Sequence, residues 1–189
     1  MSEVERLRLF VAARVPAEHL EEVEDALGGF KQGLQGARWV DLPNQHVTLK
    51  FLGSTFSDRL KAVAEVCKLV AGTHVASQAS LTDLGAFPSL KRARVLWVGL
   101  NDPGELLRGL ADDLADSFEP LGYAAEKRPY TPHLTLARFT SPARIEGLLP
   151  VLPRLNPFPI DRIELMRSRL ARGGARYEVL QSFPLVGRK

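Results

Sequence analysis

A chain of 189 residues, 45% hydrophobic and 25% charged, is long enough to bury a core and too apolar to stay disordered. The net charge of +3 favours anionic partners only mildly. Cys67 is the single cysteine, which excludes an internal disulfide and every cysteine-rich zinc motif, and its place in an apolar helical pattern marks it as a small buried side chain. The short apolar run 9–13 is flanked by arginines, too brief for a membrane span or a secretion signal, so a cytoplasmic protein is expected.

In chain order, residues 7–15 read as a strand closed by Pro16, and 17–28 as a helix. Residues 45–52 alternate as a strand ending at Gly53, and 57–70 form a helix with Ser57 as its N-cap. Two further strands, 79–84 and 94–100, are joined by a basic loop holding Lys91 and Arg92, and the turn at 101–104 introduces a helix over 105–118. Residues 132–139 are a strand, Ser141-Pro142 begins a helix towards 149, and strands 160–170 and 175–185 flank a glycine hairpin at 171–174. The order strand, helix, strand, helix, strand, strand thus occurs twice, matching His46 to His133 and Arg8 to Arg94. We expect one α+β domain over 1–189, made of two similar lobes (about 1–93 and 94–189) related by a pseudo-twofold. Two antiparallel sheets then face a central cleft, with helices packed outside.

Two motifs carry chemistry. Gln45-His46-Val47-Thr48-Leu49 and Pro132-His133-Leu134-Thr135-Leu136 both read His-x-Thr-Leu on a strand. Side chains two apart on a strand share a face, so His46 with Thr48, and His133 with Thr135, look outward together while Val47, Leu49, Leu134 and Leu136 go inward. Two imidazoles around one phosphate suit in-line displacement, because one neutral and one protonated ring supply the base and the acid. The hydroxyls beside them suit the non-bridging oxygens, where charge accumulates. Neither motif strand carries the acidic residue or third histidine of a zinc site, so no metal is expected. His19 is placed on an exposed helix face and His74 in a loop, both without a role in the chemistry.

At these residues the sequence resembles the 2H phosphoesterase superfamily, and within it the RNA 2′,3′-cyclic phosphodiesterases, also called 2′-5′ RNA ligases. The likeness runs through residues 8–12, 38–40, 43–53, 84–88, 94–99, 130–138 and 174–180. It implies hydrolysis of a ribose 2′,3′-cyclic phosphate at an RNA end to a 2′-phosphomonoester without metal or cofactor, His46 acting as proton donor and His133 as acceptor. Ligation to a 2′-5′ linkage is implied as the reverse activity, and RNA with either ending as the partner of a monomer. The residues themselves leave the order of acid and base open. Arg138 matches a phosphate-binding arginine, although strict alternation turns it away from His133 unless a bulge intervenes. Tyr130 either stacks on a base or packs at the cleft edge. Lys91, Arg92, Lys127, Arg128, Arg167, Arg169, Arg172 and Arg176 are read mainly as solvated charges. The rival readings are a non-catalytic nucleotide- or RNA-binding module, a metal-dependent nuclease, and a phosphodiesterase of 2′-5′ oligoadenylates or of a small cyclic phosphate.

Overall fold

The structure, a computed structural model, describes residues 5–124, 126, 128–171 and 174–187. Nine strands occur in chain order among them: β1 (Arg6–Ala13), β2 (Ala37–Trp39), β3 (Val47–Phe56), β4 (Ser77–Phe87), β5 (Ala93–Asn101), β6 (His133–Ala143), β7 (Phe158–Ile160), β8 (Arg162–Ala171) and β9 (Gly174–Pro184). Three helices accompany them: α1 (Ala17–Gly33), α2 (Leu60–Ala71) and α3 (Leu106–Phe118). Among the described residues, no helix is long and apolar enough to cross a membrane.

The α+β class is as expected, but the strands form one sheet, not two. Its order is β7-β4-β5-β6-β3-β1-β8-β9, with β2 paired to β6. The ladders are antiparallel. Two wings therefore run outward from the centre, β3-β1-β8-β9 and β6-β5-β4-β7, and they meet through the pair Val47↔Leu134. The wings do not divide at residue 93, because β4 joins β5 and β8 joins β1. A strand finds its partner by matching buried faces, whatever its place in the chain.

The parity of β1 separates the two faces. Leu7, Leu9, Val11 and Ala13 enter the main core, whereas Phe10 and Ala12 join Met166 in a small second cluster on the other face. The helices supply the main core through Val23 and Leu27 of α1, Val63 and Cys67 of α2, and Leu107, Leu110 and Leu114 of α3. Burial pushes the Cys67 thiol up to about 12, as expected for an inert packed sulfur.

Two inner ladders repeat one irregularity. Val11↔Lys50 is followed by Ala12↔Thr48, and Leu96↔Ala137 by Trp97↔Thr135. One extra residue, Leu49 in β3 and Leu136 in β6, is thereby inserted beside each motif. Such a bulge sends the residues beyond it to the face opposite the one simple alternation gives. A second shift in β3 inserts Leu52, next to Gly53, whose φ of +66 suits glycine.

Several local expectations are corrected. No helix begins at Ser141: β6 continues to Ala143, which pairs with Ala93, and the Ile145 N–H donates to Leu90 O at 2.8 Å. Ser57 does not cap α2 with its side chain but lies in a 3-10 turn, Ser57–Arg59. The Asp102 carboxylate instead serves the start of α3, accepting the Leu107 N–H at 2.5 Å. His19 is buried, not exposed; its Nε2 lies 3.0 Å from Asn156 O and its ring meets the Phe158 ring edge-on. His74 does lie in a turn, with Nδ1 3.0 Å from Val70 O. Lys127, Arg172 and Gly173 lie outside the described residues.

Candidate active site

Both motif histidines stand where the wings join. His46 immediately precedes β3, and His133 opens β6. Extending the antiparallel register of Val47↔Leu134 by one residue each way sets His46 opposite Thr135 and Thr48 opposite His133. Directly opposed residues have Cβ atoms roughly 5 Å apart. Val47, Leu49, Leu134 and Leu136 are buried in the main core, while the two histidines and two threonines are partly exposed. Two imidazoles and two hydroxyls therefore share one face.

The rings are held alike. His46 Nδ1 lies 2.8 Å from Asn44 O, and His133 Nδ1 lies 2.7 Å from Thr131 O. A carbonyl only accepts, so Nδ1 carries the hydrogen and Nε2 is left as the free basic nitrogen of each neutral ring. Phe10 stacks on His46 at 4.7 Å, and Tyr177 meets it edge-on at 5.0 Å. Phe87 meets His133 edge-on at 5.0 Å, and Trp97 lies 6.3 Å away.

Those walls govern the charge. Burial lowers the pKa of His46 from 6.5 to about 4, partly offset by the Asn44 carbonyl and reinforced by Arg14, Arg138 and His133. The pKa of His133 is also lowered, chiefly by burial and less by Arg138, against the Thr131 carbonyl. Both rings thus favour the neutral form in a cationic field. An anionic phosphate bound there would pull both values back up, readying one ring to carry a proton.

Arg138 reaches the site because of the bulge at Leu136. It lies past two successive buried residues, Leu136 and Ala137, and is exposed, on the same face as His133. The bulge that a phosphate-binding role for it would require is present. Beside it, Arg38 is its ladder partner in β2. Arg14 was not singled out from the sequence. It pairs with Glu164 at 3.0 Å and donates to Pro43 O at 3.1 Å, next to the segment that holds His46.

Phe51 was also missed. Leu49 and Lys50 are both buried, and after that bulge Phe51 emerges on the histidine face, 53% exposed and 6.0 Å from Phe10. The equivalent bulge in β6 delivers Arg138, so the same register position holds an aromatic ring in one wing and a guanidinium in the other. The break in alternation across Leu49-Lys50-Phe51-Leu52 was the available signal.

Tyr130 packs against the main core and donates its hydroxyl to Thr48 O at 3.1 Å, fastening the approach to His133 onto β3. Burial raises its pKa. Nearby, Lys50 is almost fully buried and donates to Ala124 O at 2.7 Å, a second tie between the same segments. Several expected surface cations are engaged elsewhere: Lys91 with Glu146, Arg167 with Glu5 and Arg169 with Glu178. Arg92, Arg128 and Arg176 are exposed.

Residues 16–172 match the 2′-5′ RNA ligase superfamily. The chain is 26% identical over 187 residues to an RNA 2′,3′-cyclic phosphodiesterase of Geobacillus stearothermophilus, covering 97% of this chain but only 59% of that protein. It is 32% identical over 182 residues to the Escherichia coli protein of the same name, covering 95% of this chain and 97% of that one. The crystal structure of TT0787 of Thermus thermophilus superposes with a TM-score of 0.83 at 30% identity, over 97% of this chain and all of that one. The chain belongs to the 2′-5′ RNA ligase superfamily.

Proposed function

We propose that this protein hydrolyses the 2′,3′-cyclic phosphate at RNA ends to a 2′-phosphomonoester, with His46 and His133 as paired acid and base. The observation that carries this reading is the matched presentation of two imidazoles. Each has Nδ1 bound to the carbonyl two residues before it, which leaves Nε2, without a hydrogen-bond partner among the described residues, on one sheet face. The names of the Geobacillus and E. coli relatives supply the substrate class.

In the reaction, water attacks phosphorus while one Nε2 takes its proton. The bond from phosphorus to the 3′ oxygen breaks, and the other Nε2–H protonates that oxygen. The family resemblance assigns the donor to His46 and the acceptor to His133. Each role supplies roughly 10²–10⁴-fold acceleration. Thr48 and Thr135 donate to the non-bridging oxygens, and Arg138 offsets their charge. The ring of Phe51 takes the terminal base by stacking. If the 5′-hydroxyl of a second RNA replaces water, the same atoms move and a 2′-5′ linkage forms, which is the ligation direction.

The repeated bulges support reading the two wings as pseudo-twofold halves of a single unit spanning 1–189, built around one central phosphoryl site and working as a monomer. Phe51 and Arg138 break that symmetry and give the substrate one orientation, base towards β3 and phosphate towards β6.

The test is a 2′,3′-cyclic-phosphate-ended oligonucleotide incubated with the protein in EDTA, with the product read by phosphorus NMR. We expect a 2′-phosphomonoester at an unchanged rate. A 3′-phosphate product, binding without turnover, or activity lost to EDTA would each replace this reading with one of its rivals.

A further inference from the structure

Beyond the reacting end, the histidine face of the β1–β3 ladder continues as a line of cations and aromatic rings. On β1 the residues of that face after Ala12 are Phe10, Arg8 and Arg6, which pair across the ladder with Phe51, Ser54 and Phe56. Arg8, Arg6 and Ser54 are exposed, and Phe51 and Phe56 are 53% and 41% exposed. The Arg6 guanidinium lies 4.3 Å from the centre of the Phe56 ring, which confirms that the two share the face.

We infer that this row is a track for the single-stranded RNA that leads up to the reacting end, its bases resting on Phe51 and Phe56 and its phosphates on Arg8 and Arg6. The inference rests on the proposed function, since it takes the strand's 3′ end to lie between the histidines.

Three observations support it. The first is charge: among the described residues neither Arg6 nor Arg8 is in an ion pair. The nearby carboxylates of Glu5 and Glu178 are engaged by Arg167 and Arg169, and Arg167 pairs in register with Leu9, on the opposite face. The second is chemistry: exposed rings alternating with guanidiniums are what a sequence-tolerant single-strand groove needs, because every base has a π-face and every nucleotide a charge. The third is length: from Ala12 to Arg6 the strand advances about 20 Å, room for several nucleotides of single strand. In the other wing Arg138, the ladder partner of Arg38, acts on both imidazoles and serves the reacting phosphate instead.

The test compares the parent with the double variant Arg6→Ala/Arg8→Ala and with Phe56→Ala. Binding of a fluorescent tetranucleotide bearing the 2′-phosphate is read by anisotropy at several salt concentrations. Hydrolysis of a cyclic-phosphate-ended tetranucleotide and of a nucleoside 2′,3′-cyclic phosphate is read in parallel. We expect the double variant to bind the tetranucleotide at least tenfold more weakly, its logarithmic salt slope to fall by about 1.4, and the slope to return in the Arg6→Lys/Arg8→Lys protein. The Phe56 variant should lose about tenfold on the tetranucleotide without a change of slope. In all of them hydrolysis of the mononucleotide should stay within twofold. An unchanged slope, equal losses on both substrates, or loss of the slope on Arg38→Ala instead would overturn the track. If the parent binds the tetranucleotide in this way but hydrolyses neither substrate, the track stands and the catalytic reading falls.

Discussion

Substituting His46 by glutamine should remove a specific part of the protein's acid sensitivity. In the folded protein His46 resists protonation down to about pH 4 because its ring is buried against Phe10 and Tyr177, whereas in the unfolded chain it takes a proton near 6.5. Below 6.5 the unfolded state therefore binds more protons, and stability is lost as the pH falls towards the folded value. For a single site with these two values the loss relative to neutral pH is about 2 kcal/mol at pH 5 and about 3 kcal/mol at pH 4. Urea unfolding of parent and His46→Gln at pH 7, 6 and 5 isolates it, because titrating groups not coupled to His46 cancel in the difference. The parent's advantage over the variant should shrink by about 2 kcal/mol between pH 7 and 5. A difference that stays constant over that range would refute the claim that the ring is held neutral by burial.

Three further outcomes follow from the site. Phe51→Ala should raise KM for a nucleoside 2′,3′-cyclic phosphate about tenfold through lost stacking; because the ring is 53% exposed, the melting temperature should hardly move, and a large drop would make Phe51 a packing residue. Arg138→Ala removes a cation that depresses both imidazoles, so NMR titration should show both pKa values rising towards 6.5 while kcat/KM falls; unmoved titrations would separate Arg138 from the site. Gly85→Ala would place a Cβ 2.2 Å from the Trp97 indole, so the ring beside His133 must shift, at a cost of about 1–3 kcal/mol. Melting and tryptophan fluorescence report it, and an unperturbed spectrum would contradict the packing.

The histidine pair was legible because strand alternation of two makes a His-x-Thr repeat point one way. Val47 and Leu134 then declare the opposite face as buried. Of the neighbours on the same face, Arg138 was reached only through the family resemblance and Phe51 not at all, since both depend on bulges. Counting by twos from His133 turns Arg138 away, and counting from His46 turns Phe51 away; one extra residue, Leu136 or Leu49, reverses each. Sheet architecture was likewise hidden, because the join at Val47↔Leu134 is a single long-range pair with no local signature. Ser141-Pro142 imitates a helix start, yet ladder pairing of Ala143 with Ala93 keeps the chain extended. The tolerance of strand edges and bulges for proline makes that possible. His19 misled for a different reason: its acidic neighbours face solvent, while its own ring turns inward to Asn156 and Phe158.

The central claim is that two imidazoles act as a unit on one phosphoryl group, and a double-substitution cycle tests it most directly. Turnover of the cyclic-phosphate-ended tetranucleotide is measured for His46→Ala, His133→Ala and the protein carrying both. We predict that each single change costs at least about 100-fold in kcat and that the second change adds little to the first, as for groups that work together. Losses that multiply, or a single variant that keeps its rate, would contradict it.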